Sequence, residues 1–139
     1  MSKDTDTLYN EIQNASSIDE FLAENAEHLS DFSFTEYLHL LLAEKGLTIA
    51  EVQRRGSMTN YVYELFNGRK TPSRNSVLQL CYGFALNTDE AQKLLRVAKT
   101  GALYARDRRD SVLLFGLKEG LNGSEINDLL DKNKLECIH

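Results

Sequence analysis

The sequence has no tryptophan, one proline, two cysteines and three histidines. Each shortage removes a class of protein. Cys81 and Cys137 have no CxxC spacing and no neighbouring histidine, so neither a disulfide framework nor a zinc site is indicated. Cys81 falls inside an apolar helical pattern and reads as a small buried hydrophobe. His28, His39 and His139 are scattered, and no set of His, Cys, Asp or Glu has metal-ligand spacing. No metal or other cofactor is expected. Glycine-rich phosphate loops and GxSxG-type nucleophile turns are missing, and acid pairs such as Asp19-Glu20 and Asp89-Glu90 are explained as first-turn charges that complement helix dipoles. No catalytic residue is therefore expected, and the chain does not read as an enzyme. No run reaches the roughly 20 apolar residues of a membrane span, and the acidic start MSKDTDTLYN is wrong for a secretory signal. The expectation is a cytoplasmic protein without a membrane partner.

What remains is 139 residues, 42% of them apolar and 27% charged, enough for one compact domain with short extensions. The near-absence of proline and the wealth of Leu, Ala, Glu and Lys favour helix, and no segment alternates with period two, so no sheet is expected. The net charge of −5 argues against nucleic acid until its distribution is read. Residues 1–40 hold one Lys against nine acids, −8; residues 41–109 hold twelve Lys and Arg against six acids, +6; residues 110–139 hold three against six, −3. A basic middle between acidic ends is the pattern of a DNA-binding core with flanks of other purpose, although solvated helix faces also segregate charge.

Residues 1 to about 15 show no strong period and read as a frayed start. Ser17-Ile18-Asp19-Glu20 is a capping-box pattern opening an acidic amphipathic helix over about 17–29. Ser33-Phe34-Thr35-Glu36 opens another, closed at Gly46. Thr48-Ile49-Ala50-Glu51 opens a short third, stopping near Arg55 or Gly56. After the turn at Gly56-Ser57-Met58, Thr59 starts a helix that ends at Gly68. Pro72-Ser73 begins the next, to about Leu86, followed by helices over about 88–101, 107–119 and 124–130. One internal echo stands out. Leu40–Val52 and Leu114–Ile126 share a Gly-Leu junction and a Glu before the last apolar residue, which reads as shared local chemistry rather than duplication.

Two short helices joined by a tight turn are the minimal device for entering a DNA major groove, provided the second has an apolar inner face and a polar outer one. Val62, Leu65 and Phe66 form the first face here; Thr59, Asn60, Tyr63, Glu64 and Asn67 form the second. A plain helical hairpin with a solvated face has the same pattern. The segment Asn67-Gly68-Arg69-Lys70-Thr71-Pro72-Ser73-Arg74 adds three cations directly after the second helix, where phosphate neutralisation is needed. Together, Leu47–Val52, Tyr61–Gly68 and the Pro72-Ser73 helix start resemble the lambda-repressor-like (XRE or Cro-type) helix-turn-helix family over about residues 34–98. Leu103–Asp110 with Leu113–Leu117 also resembles a C-terminal extension of some such regulators from Firmicutes-like bacteria.

The resemblance implies an all-α fold. It comprises an acidic lead with one helix (1–32), a five-helix DNA-binding bundle (33–100) and a two-helix extension (101–139). It implies sequence-specific binding of duplex DNA and transcription control, repression before activation. Thr59, Asn60, Tyr63 and Glu64 would read bases, with asparagine able to pair bidentately with adenine and glutamate able to accept from cytosine. Asn67, Arg69, Lys70 and Arg74 would hold phosphates, and Thr48 would add a contact from the start of the bracing helix. Many members have Gln near the start of the bracing helix and Ala four residues on; Ile49 and Gln53 stand there instead. The interval to the reading helix is also one residue short, so either Gly56 or Ser57 takes the turn position. The cluster Arg106, Arg108 and Arg109 either extends the DNA footprint or forms ion pairs at a helix start. A homodimer and a protein partner for the acidic helix stay open. So does a degenerate fold of this kind serving as a protein-interaction adaptor or part of a larger complex.

Overall fold

A computed structural model describes residues 5–18, 20 and 33–139. The chain divides into two compact units, Met1–Phe32 and Ser33–His139. Eight helices and no strand occur among the described residues.

The first unit contains α1, Thr5–Asn14, with no buried side chain. This corrects the reading of a frayed start. Leu8 and Ile12 stand one turn apart, Asp6 complements the first turn, and the Asn14 amide closes on the Asn10 carbonyl at 2.8 Å. Of the helix expected over 17–29, only the opening falls within the described residues. There the Glu20 amide donates to Ser17 Oγ at 3.3 Å, half of the anticipated box.

The second unit holds α2 (Phe34–Lys45), α3 (Ile49–Gly56), α4 (Tyr61–Phe66), α5 (Arg74–Gly83), α6 (Thr88–Val97), α7 (Arg108–Glu119) and α8 (Gly123–Lys132). Side-chain caps start most of them. Ser33, Thr48, Ser73, Asn87, Asp107 and Asn122 each accept the amide three residues on, a bond worth about 1 kcal/mol. At Asn87 and Asn122 the third residue is Glu90 or Glu125, and the box is reciprocal. The echo noted above is a repeated corner. Gly46 and Gly120 take left-handed caps, Leu47 and Leu121 donate back to Leu42 and Gly116, and capping boxes follow at Thr48 and Asn122.

Helix α5 runs through the centre, packed on α3, α6 and α8. Its Val77, Leu78, Leu80, Cys81 and Tyr82 are all buried, so it is apolar on more than the one face its pattern suggests. Each such aliphatic side chain stabilises by about 1.5–3 kcal/mol. The Tyr82 hydroxyl donates to the Leu113 carbonyl at 2.6 Å, and burial raises its pKa above the ordinary tyrosine range. Burial likewise pushes the Cys81 thiol up to about 12. That fits the buried-hydrophobe reading.

Helices α7 and α8 belong to the same compact unit, α8 lying on α3 and α5 and α7 on α6. Arg109 draws in the segment beyond α8, donating to the Glu136 and Cys137 carbonyls at 2.9 and 3.0 Å and to Asn75 Oδ1 at 2.9 Å. Ile138 is fully buried, its amide bonded to Asn127 Oδ1 at 2.8 Å.

Lys45 at the end of α2 meets Glu90 at the start of α6, 2.7 Å apart. The Asn87 amide, and then Lys45, hold the Glu90 carboxyl below its ordinary value of 4.5. The fold therefore favours the charged form. Its contribution is complete above the ordinary value and is lost as pH falls through the lowered folded value. Glu90→Gln should melt earlier than the unaltered protein at neutral pH, with the difference shrinking below pH 4.5. Thermal melts across that range check this; a difference independent of pH would exclude it.

Candidate nucleic-acid interface

Helix α3 opens with a complete box. The Glu51 amide donates to Thr48 Oγ1 at 3.2 Å and the Thr48 amide to Glu51 Oε1 at 3.1 Å. The Thr48 hydroxyl itself donates to Glu51 Oε1 at 3.1 Å. Thr48, expected to hold a phosphate, is here engaged with Glu51. Both functions of its hydroxyl are used within the box, and the Glu51 carboxylate already places a negative charge at the helix terminus that an anion would need.

The turn after α3 belongs to Ser57, not Gly56. Ser57 adopts φ 55° and ψ 44°, its amide donating to Arg54 O at 3.2 Å and the Met58 amide to Gln53 O at 2.9 Å. These two bonds form a Schellman motif, with Met58 tucked inward as its apolar anchor. Gly56 is the last helical residue and is needed for another reason. A Cβ there would stand 2.7 Å from the Gln79 carbonyl on α5.

Helix α4 has the two faces the sequence implied. Val62, Leu65 and Phe66 are buried; Thr59, Asn60, Tyr63 and Asn67 are exposed, and Glu64 is half-buried. Its own start is weakly capped, with only a 3.4 Å bond from the Tyr61 amide to Thr59 Oγ1. Side chains from other helices hold it. Thr35 Oγ1 on α2 donates to the Leu65 carbonyl at 3.3 Å, and His39 Nε2 meets the Phe66 carbonyl at 2.8 Å with its ring edge-on to Phe66. From α3, Gln53 Nε2 donates to Asn60 Oδ1 at 3.0 Å. The pattern gave Gln53 no role, because nothing local signals a side-chain contact reaching seven residues across a turn.

The basic segment leaves α4 in a set direction. Gly68 at φ 73° forms a second Schellman motif, with its amide on Leu65 O and the Arg69 amide on Glu64 O. Three residues after Gly68 the Tyr61 hydroxyl donates to the Thr71 carbonyl at 3.4 Å. Arg69 and Lys70 lie exposed between these anchors and form no ion pair among the described residues.

Arg74 does not join them. Its guanidinium forks onto buried Asp110, Nη1–Oδ1 3.1 Å and Nη2–Oδ2 3.0 Å, and also donates to the Gly101 and Ala102 carbonyls. Its donors are thus engaged at the α6–α7 connection, where Arg74 acts as a clamp within the fold. Arg109 is similarly committed to backbone carbonyls, while Arg106 and Arg108 are exposed.

The structure thus gathers Thr59, Asn60, Tyr63, Glu64 and Asn67 on α4 and its immediate flanks, with Arg69 and Lys70 beyond. It separates Thr48 and Arg74 by giving them other partners. No group of metal-ligating side chains and no helix long and apolar enough to cross a membrane occurs among the described residues. No protein-family model, curated protein or solved structure matches the chain.

Proposed function

We propose that the chain binds duplex DNA sequence-specifically through α4 and regulates transcription, as a repressor of the lambda-repressor-like (XRE or Cro-type) kind. The observation that carries this reading is the α3–turn–α4 unit, whose second helix buries one face and leaves its polar face open beside Arg69 and Lys70, which form no ion pair among the described residues. Thr59, Asn60 and Tyr63 are the base-reading side chains, with Glu64 contributing from its half-buried position. Arg69 and Lys70, aided by Asn67, neutralise phosphates without regard to sequence.

Fluorescence anisotropy on the DNA upstream of its own coding sequence, against scrambled duplex and across a salt series, tests this. A clear preference is expected, with a log–log salt slope of roughly −0.9 per neutralised phosphate. Arg69→Ala and Lys70→Ala should each weaken both duplexes alike and flatten the slope by about 1. Indifference of the slope to both substitutions would remove the basic segment from the interface.

One observation favours a second reading. Phe115 on α7 is 49% exposed above an apolar groove formed with Leu121 and Leu129. Such a patch suits a protein-interaction adaptor built on a degenerate fold of the same kind. Weak binding without preference in the same titration would select it.

A further inference from the structure

We infer that Arg106 and Arg108, at the start of α7, carry the DNA contact onto phosphates flanking the bases read by α4, an inference that rests on the duplex-binding role proposed for α4. In the sequence, Arg106-Asp107-Arg108-Arg109-Asp110 mixes three cations with two acids. The fold sorts them. Asp110 is buried against the Arg74 guanidinium, and Arg109 turns to Asn75 and to the Glu136 and Cys137 carbonyls. Asp107 accepts the Asp110 amide at 2.9 Å, which sets its negative charge against the positive amino end of α7. Arg106 and Arg108 are left exposed, and neither forms an ion pair among the described residues.

Their place follows from the same contacts. The first turns of α5 and α7 are joined twice, by Arg74 with Asp110 at 3.0 and 3.1 Å and by Asn75 with Arg109 at 2.9 Å. The amino ends of the two helices therefore lie side by side. The basic segment runs directly into that end of α5, since Lys70 precedes Arg74 by four residues, a span of at most about 14 Å when fully extended. The chain leading to Arg106 is fixed as well. Arg74 donates to the Gly101 and Ala102 carbonyls, and Gln92 holds Leu103 by both its amide and its carbonyl, at 2.7 and 2.9 Å. The Tyr104 amide then shares Asp110 Oδ2 with Arg74. Arg106 stands two residues past this anchor.

Two exposed guanidiniums beside the end of a basic segment fit a polyanion of regular spacing. Each strand of a duplex offers a phosphate every 3.4 Å or so of its axis, so a duplex seated on Arg69 and Lys70 carries further phosphates past the neighbouring helix start. A cation on a pinned loop also loses less freedom on binding than one on a free arm. Such contacts carry no base information. They lengthen the site and strengthen every sequence alike. Arg74 and Arg109 touch no phosphate in this arrangement and act as positioning residues.

The test repeats the anisotropy salt series with the full chain for R106A, R108A and K118A. Each of the first two should weaken the preferred and the scrambled duplex by the same factor and flatten the log–log slope by about 0.9. Their ratio, the base preference, should not move. Trimming the preferred duplex from one end should erase the difference between these variants and the unaltered protein. Lys118 is exposed on the last turn of α7, and K118A removes the same charge from the far end of that helix. Its slope should match that of the unaltered protein. Arg106 and Arg108 are exposed and unpaired, so thermal melts of R106A and R108A should also match.

Slopes unchanged in both R106A and R108A would overturn the inference, as would equal flattening by K118A, which would reduce the effect to net charge. Either result leaves DNA binding by α4 standing, because Arg69→Ala still flattens the slope. Weak binding without preference by the unaltered protein would overturn the DNA reading and this inference with it.

Discussion

Alanine at position 123 is expected to destabilise the 33–139 unit by about 3 kcal/mol or more, the upper end for forced overpacking. A Cβ on Gly123 would stand 2.3 Å from the carbonyl oxygen of Gly56 and 2.5 Å from its carbon. Both obstacles are backbone atoms, so no rotamer change relieves the clash. Nor can α3 retreat. Gly56 already abuts the Gln79 carbonyl, and Gly83 on α5 has room for no Cβ against the Val52 carbonyl, 2.6 Å away. Three helices meet through these glycines, and a methyl group at any of them must push two apart. Gly120→Ala is the comparison. Nothing lies within 4 Å of a Cβ there, so the cost reduces to the left-handed backbone at φ 71°, about 1–2 kcal/mol. Urea unfolding midpoints at unchanged m-value measure both. Equal losses at positions 120 and 123 would mean that α8 does not sit on α3 this closely.

Asp110→Ala should cost about 3 kcal/mol, the lower end for removing one partner of a buried ion pair. The carboxylate is 6% exposed and accepts from both terminal nitrogens of Arg74 and from the Tyr104 amide at 2.9 Å. Alanine leaves the amide and the guanidinium without that acceptor. The Arg74 side chain retains 31% exposure and so recovers part of its hydration, which keeps the loss at the lower end. A double-mutant cycle with Arg74→Ala should give a coupling of about 1–3 kcal/mol. Additive losses would show that the pair contributes nothing beyond its separate side chains. The same cycle distinguishes Arg74 from Arg69: only the former should change the unfolding midpoint, although both are arginines of one basic stretch.

The helices of the second unit were legible where their ends are local. Ser33, Thr48 and Ser73 cap within three residues, and such bonds need only short-range sequence. Helix stops were legible where glycine supplies the left-handed residue, at Gly46, Gly68 and Gly120. They were blurred where Ser57, Ala85, Lys99 and Lys134 adopt the same conformation, because each closes its helix with the same pair of local backbone bonds but without a residue type that signals it. Helix α1 escaped notice for want of a stop signal and of an apolar stripe longer than the Leu8–Ile12 pair. The polar face of α4 followed from period alone. The fates of Thr48 and Arg74 did not. Glu51 competes for Thr48 in a way its motif displayed, and that competition could have been weighed. Asp110 lies 36 positions from Arg74, a contact only the fold could bring about. The same holds for Gln53 and for Thr35 and His39, whose partners are set by how helices lie against α4.

Those two α2 side chains have a kinetic meaning. Helix α4 is six residues long, well short of the roughly 12–15 at which an isolated helix holds its own shape. It persists because Val62, Leu65 and Phe66 are buried and because Thr35 and His39 close on its final carbonyls. Its amides therefore exchange with solvent when the α2–α4 contact opens, as one unit, rather than by fraying from an end. The lifetime of the helix's outer surface is governed from a neighbouring helix. A substitution at Thr35 can shorten the time for which that surface exists without altering a single group upon it.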